Sequence, residues 1–392
     1  MTSRLPAIVV AGHICLDIIP TFPEHALAST SRIEPGKLYI MGPALFSTGG
    51  AVSNTGLALH RLGIPTMLMG KVANDLFGSE VLNIVRRCDP DLARGMIVDS
   101  QGHTSYSVVI SPPGVDRSFL HSPGANDTFT GDDICLDSLS AGQIFHFGYP
   151  VLMHHFFADE GVQMRDVFAR VRDRGLITSL DMAMPDPHSP AGRIDWRAWL
   201  ARVLPQVDLF LPSIEEILFM LERPGLPPAG AGPDLLQDVA EELLQLGAGV
   251  VVLKLGEQGL YLRSGTDLDS MGARLAERAP LSLAEWRDRE LWGPCFRVEV
   301  AGTTGAGDCT IAGFLAAFSR GWAPELTLNT ALAVGACSVE VADSTSGIHA
   351  LSEIQQRMAA GWPRCFQTLN STEWSWCETR QLWRSTRDDA AN

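Results

Sequence analysis

Gly302-Thr303-Thr304-Gly305-Ala306-Gly307-Asp308 runs directly into Cys309-Thr310-Ile311-Ala312-Gly313-Phe314-Leu315-Ala316-Ala317-Phe318. Small residues and two threonines let a chain turn sharply, present several backbone N–H groups in a row, and enter an apolar helix. The first amides of a helix lack intrahelical acceptors and lie at its positive end, so such a turn is a seat for an anion. Asp308 stands inside it. A carboxylate there is either a first-turn residue favoured by the helix dipole or a group with a proton to accept.

Working outward, Phe296 to Val300 reads as the strand that feeds this turn, and Leu326 to Val341 as an Ala-rich apolar helix containing Asn329. Far upstream, Ile8-Val9-Val10-Ala11-Gly12-His13-Ile14 reads as a buried first strand. Asp17 follows it, either as a solvated loop residue or as an acceptor for ligand hydroxyls. Ser47-Thr48-Gly49-Gly50-Ala51-Val52-Ser53-Asn54 then leads into a helix that stops at Gly63. The double glycine marks a tight turn or a close backbone approach to a ligand, with Asn54 one helical turn further on.

Thr104–Ile110 and Arg117–His121 alternate as a hairpin through Pro112-Pro113-Gly114,. From Ile144 a strand–helix rhythm sets in. Strands are expected at Ile144–Gly148, Ile177–Met182, Val207–Leu211 and Val250–Lys254, with helices near Val162–Arg174, Trp196–Val203 and Leu235–Leu246 between them. These strands are short apolar runs without alternation, as when both faces of a parallel sheet are covered. The fold class is therefore α/β: a doubly wound, mostly parallel sheet with helices on both faces.

Pro212-Ser213-Ile214-Glu215-Glu216 follows one strand at its carboxyl end, where such sheets place ligands,. Ser213 and Glu216 also have the spacing of a capping box, and the two roles are compatible. Gly256 and Gly259 alone suggest only a hairpin turn. Gly265 to Pro294 is polar and reads as an insertion between strands, whereas the Trp-containing tail from Cys365 shows no clear period.

Composition narrows the function. The chain is 46% hydrophobic and 19% charged, as in an ordinary globular protein, and 392 residues suffice for a large core,. Thirty basic against 45 acidic side chains give a net charge of −15, which disfavours nucleic acid and anionic membranes,. The eight cysteines form no CxxC and no His/Cys cluster at zinc spacing, pointing to free thiols in a reducing compartment,. With no signal peptide and no membrane-length apolar run, the expected location is the cytoplasm. There is no GxxxxGK[ST], no HRD or DFG, and no GxGxxG after the first strand. P-loop enzymes, protein kinases and dinucleotide-binding oxidoreductases are thereby disfavoured.

With these pieces in order, the chain resembles the ribokinase-like (PfkB) carbohydrate kinases from about Ile8 to Leu351. Gly49-Gly50-Ala51-Val52-Ser53-Asn54 with Leu57, Leu59, Leu62 and Gly63 carries the first signature, and Thr303–Asp308 with Ala312-Gly313 the second. Gly70-Lys71-Val72 through Gly78, Pro123–Asn126 and Leu255–Gly259 support them. The resemblance implies one kinase domain over 1–364, with lid strands within 14–40 and 104–121, an insertion near 265–295, and a tail at 365–392 of unknown role.

It further implies that Asp308 is the base and that the amides of Gly305, Ala306 and Gly307 form an anion hole. Asp17, Gly49, Gly50 and Asn54 would bind sugar hydroxyls. Lys254, Gly256, Gly259, Thr304 and Asn329 would lie on the nucleotide side, Asn329 near the adenine, and Glu216 would hold Mg²⁺ through water. ATP and Mg²⁺ are the implied cofactors, with a sugar-like substrate and a homodimer built through the lid. Some positions depart from the pattern. Gly302 stands where an aspartate often helps bind a monovalent cation, which counts against potassium activation. Ser213 replaces an asparagine, Ala51 a lysine, and Asp181-Met182-Ala183-Met184-Pro185 lacks the asparagine and arginine of several sugar kinases. The expected activity is ATP-dependent phosphorylation of a hydroxyl on a sugar or sugar-like molecule. A nucleoside kinase of the same fold and a catalytically silent binding relative are the alternatives.

Overall fold

The computed structural model describes residues 7–23, 35–112, 117–137, 139, 143–223, 231–275, 283–365, 369 and 371–389. Its centre is a sheet of ten strands. Six run parallel, in the order Thr66–Met69, Ile8–Gly12, Ile144–Gly148, Ile177–Asp181, Leu209–Phe210 and Val250–Lys254. Four antiparallel strands continue it: Leu260–Ser264, Glu290–Gly293, Leu382–Ser385 and Trp374–Cys377.

The strands are apolar on both faces because both are covered. Ile8 and Val10 join Ile144, Ile177 and Val250 in a core that includes residues of helices Ala51–Arg61, Ala306–Phe318 and Pro324–Val339. Val9 and Ala11 join Phe145, Phe147 and Val251 in a second core, with residues of Val162–Asp173, Trp196–Val203 and Pro233–Gln245. Alternate residues thus feed opposite layers, the period-2 geometry of a strand buried twice over. Helices Ala306–Phe318 and Pro324–Val339 are buried nearly all round and pack closely through small residues. A Cβ on Gly313 would stand 2.8 Å from that of Val334, so only glycine permits this approach.

A four-stranded sheet stands apart from the main one, in the order Ala44–Gly49, Cys15–Pro20, Tyr106–Ile110 and Ser118–Ser122. The hairpin expected from alternation is its second half, although 113–116 of its connection lie outside the described residues. Ala44–Gly49 falls outside the expected lid bounds, since Ser47–Gly50 reads locally as a turn.

Two expectations fail on the main sheet. Phe296–Val300 is not a strand and makes only an isolated bridge, Phe296 to Arg364. The edge beside Glu290–Gly293 is taken by Leu382–Ser385, which leaves Val300 64% exposed. The region near 265–295 is also more than an insertion, because Glu290–Gly293 is a main-sheet strand and Trp286 packs on Phe314 and Phe318.

The tail supplies the two outermost strands and then Asp388. That carboxylate accepts from Arg289 Nε and Nη2 at 2.8 Å each, and the same guanidinium reaches Glu325 at 2.6 Å. Among the described residues no helix is long and apolar enough to cross a membrane.

Candidate active site

The carboxyl ends of the parallel strands converge on one cleft. Ile8–Gly12 delivers His13, Ile144–Gly148 delivers Tyr149, Ile177–Asp181 ends in Asp181, and Val250–Lys254 ends in Lys254. Above them the turn before helix Ala306–Phe318 bends at Gly305, whose φ of 68° is left-handed backbone that favours glycine,. No side chain caps this helix. The N–H groups of Gly305, Gly307 and Asp308 make no backbone hydrogen bond among the described residues, while that of Ala306 donates to Thr303 O at 3.3 Å. Most of the cup is therefore open to an anion.

Asp308 is 2% exposed. Asn54 Nδ2 donates to its Oδ2 at 2.9 Å, Thr55 Oγ1 to its Oδ1 at 3.4 Å, and the Tyr149 hydroxyl to both oxygens at 2.9 Å. Burial raises the Asp308 pKa above the usual carboxylate value, and Asn54, Lys254, Tyr149 and Thr55 pull it part of the way back. A buried carboxylate held in this way can take a proton from an alcohol placed beside it. Asn54 is itself oriented by Ser344 Oγ, which donates to its Oδ1 at 3.0 Å.

Lys254 and Asp181 form a buried ion pair at 2.5 Å. Burial lowers the Lys254 pKa, but Asp181, Glu216 and Asp308 outweigh it, so the ammonium stays charged. Its stem lies against the anion turn, since a Cβ on Gly307 would meet Lys254 Cε at 3.6 Å. Beside this pair opens a cleft of about 540 Å³, lined by Lys254, Gly256, Gly259, Thr303, Ala306 and Gly307, with Leu332 and Val339 on its apolar wall. Glu216 and Ser213 make the expected capping box, with Ser213 N donating to Glu216 Oε2 at 2.7 Å. The Glu216 carboxylate also raises the pKa of Asp181, so it faces the same cleft end.

On the lid side, Asp17 is half-buried, and burial pushes its pKa up to about 6. Gly49 lies directly over it, where a Cβ would stand 2.4 Å from Asp17 Oδ2. Gly50 packs likewise on His13. Asp17 and Gly49 thus lie together, Gly50 lies on His13 beside Tyr149, and Asn54 reaches Asp308, while Lys254, Gly256 and Gly259 line the cleft.

Two residues expected on the nucleotide side lie outside that lining. Thr303 rather than Thr304 lines the cleft. Asn329 faces a separate groove, where its amide donates to Arg380 O at 2.7 Å and accepts from Arg364. No motif in the sequence announces the contact with Arg380 of the tail. Tyr149 and Thr55 escaped the sequence reading. Tyr149 could have been found as the residue ending a parallel strand, which is where ligands sit in such sheets. Arg117, at the start of the last lid strand, reaches across to Thr303 Oγ1 at 3.0 Å.

The sequence matches the family model described as pfkB family carbohydrate kinase over residues 6–351. The chain belongs to the pfkB carbohydrate kinase family. It is 24% identical over 265 residues to an uncharacterized sugar kinase of Archaeoglobus fulgidus, spanning 68% of this chain and 87% of that protein. With fructokinase-1 of Zea mays it shares 23% identity over 320 residues, 80% of this chain and 84% of the relative. A crystal structure of fructokinase with bound ATP from Xylella fastidiosa superposes with a TM-score of 0.67 at 20% identity, covering 91% of this chain and 99% of that one. The ribokinase-like fold is thereby established, and membership of the pfkB family makes the protein a phosphotransferase of the carbohydrate kinase type.

Proposed function

We propose that this pfkB-family protein transfers the γ-phosphoryl group of ATP to a hydroxyl of a sugar or sugar-like alcohol, with Asp308 as the base. The observation that carries this reading is the pairing of a buried carboxylate with a turn whose amides are mostly unfilled. Phosphoryl transfer asks the protein for little else than positioning and charge stabilisation.

The alcohol would lie between Asp308 and the Asp17–Asn54 side, with Asp17 and Asn54 orienting its other hydroxyls. The triphosphate would lie in the cleft beside Lys254, and the amides of Gly305 and Gly307 would receive charge on the transferring group. Lys254 would add a fixed cation at the same place. Glu216, held by the Ser213 amide, fits a water-mediated hold on Mg²⁺; when bound, that ion neutralises charge on the phosphates. The lid sheet would cover the alcohol. Its Leu45, Phe46, Phe119 and Leu120 are all more than half exposed, which supports pairing with the lid of a second copy,.

Asp308→Asn tests the assignment. It should retain nucleotide binding and lose turnover about 10²–10⁴-fold. The measurement is ATP consumption across a panel of sugars and nucleosides, with the phosphorylated product identified. Near-normal turnover in this variant would remove Asp308 from the chemistry.

A further inference from the structure

Three residues that the phosphotransfer reading does not use meet at the root of the lid. His13 follows the first main-sheet strand, Cys15 opens the first lid strand, and His121 lies in the last one. One ligand atom from each lies within 4.8 Å of those of the other two. The two imidazoles approach through Nε2 at 3.4 Å. That separation is long for a hydrogen bond between nitrogens. It matches the edge of a tetrahedron whose corners lie about 2.0–2.1 Å from a central zinc ion.

We propose that His13, Cys15 and His121 form a binding site for a divalent cation of the zinc class, separate from the Mg²⁺ seat at Glu216. The donor set is the one such an ion favours: two imidazoles and a thiol, with three protein ligands leaving a fourth position open. Gly50 packs against the ring of His13 closely enough that a Cβ there would stand 2.4 Å from Nδ1. His121 is oriented through its other nitrogen, with Ser107 Oγ 3.0 Å from Nδ1.

In the metal-free protein the Cys15 thiol donates to Asp17 Oδ1 at 3.4 Å. Metal binding therefore releases the thiol proton to solvent as the sulfur becomes a thiolate ligand. His13 belongs to the body, whereas Cys15 and His121 belong to the lid, so a bound ion ties the two together beside the acceptor side of Asp308. In sequence His13 and Cys15 stand two residues apart, but His121 is 108 positions from His13, and only the topology brings it to them.

The test uses the full-length, reduced, metal-free chain and needs no substrate. Equilibrium dialysis against Zn²⁺ alone should give one equivalent bound. Co²⁺ in its place should give a tetrahedral spectrum with a thiolate-to-cobalt charge-transfer band. Cys15→Ser should abolish that band, and both Cys15→Ser and His121→Gln should weaken uptake at least about tenfold. His121 is exposed, so its variant keeps the test interpretable if loss of Cys15 disturbs the core. Absence of stoichiometric uptake, a cobalt spectrum without the thiolate band, or unchanged uptake in either variant would overturn the site. None of these readouts depends on whether Asp308 acts as the base.

Discussion

The Tyr149 hydroxyl bridges both carboxylate oxygens of Asp308, 2.9 Å from each, from a left-handed backbone conformation with φ 63° and ψ 47°. Its donation favours the ionised carboxylate and so opposes the effect of burial,. Tyr149→Phe removes that opposition and lets the Asp308 pKa rise. If Asp308 is the base, the acid limb of the kcat/KM profile moves to higher pH,. An unmoved limb in Tyr149→Phe would mean that the profile reports some other group.

Asp17 predicts a pH dependence of stability. Its folded pKa lies near 6 against an ordinary value of 3.8. Between those values the folded state holds more protons than the unfolded state, so its stability falls as pH rises through that window. Asp17→Asn should therefore raise Tm at pH 7–8, and the gain should vanish near pH 4. A Tm difference that stays constant with pH would argue against a buried, protonation-linked Asp17.

Lys254 and Asp181 should behave as a unit. Lys254→Met leaves Asp181, 1% exposed, without its partner and should cost about 3–5 kcal/mol in urea unfolding,. Lys254→Met combined with Asp181→Leu should recover most of that loss, because two apolar residues need no counter-charge. Simple additivity of the two single losses would show that the pair is not coupled. Catalysis should fail in both variants if the ammonium holds phosphate.

Asp388 anchors the tail through Arg289. Asp388→Ala should destabilise the fold by about 1.5–3 kcal/mol, since among the described residues Arg289 then retains Glu325 as its one carboxylate partner,. Urea denaturation measures this directly. Indifference to the change would mean that the tail strands hold without the anchor.

The lid predicts an assembly. If the lid pairs with that of a second copy, Phe119→Ser with Leu120→Ser should shift sedimentation from dimer toward monomer while leaving the main sheet folded. Unchanged sedimentation would place any dimer contact elsewhere.

The βα core was legible because buried strands are short apolar runs with recognisable stops. Ile144–Gly148 and Val250–Lys254 appear with the bounds read from sequence, and the tight turn at Gly305 is where its neighbours imply. Local signals failed where pairing partners are distant. Phe296–Val300 alternates like a strand, but Leu382–Ser385 fills the edge it would have needed. Ala44–Gly49 ends in glycines and reads as a turn, although Cys15–Pro20 pairs with its full length. In the site, Asp308, Asn54 and Lys254 were marked by motif and position. Tyr149, Thr55 and the His13–Cys15–His121 group were not, because their meaning lies in which strand ends become neighbours.

The placement of Leu382–Ser385 against Glu290–Gly293 has a biosynthetic consequence. During translation, Glu290–Gly293 emerges well before the strand that will cover its outer edge, and two long helices are made in between. Until then the growing protein presents an unpaired β edge next to tryptophans, the kind of surface that invites association with other nascent chains. Chaperone occupancy at that interval, and aggregation of chains released before residue 382, are where this order of assembly would leave its trace.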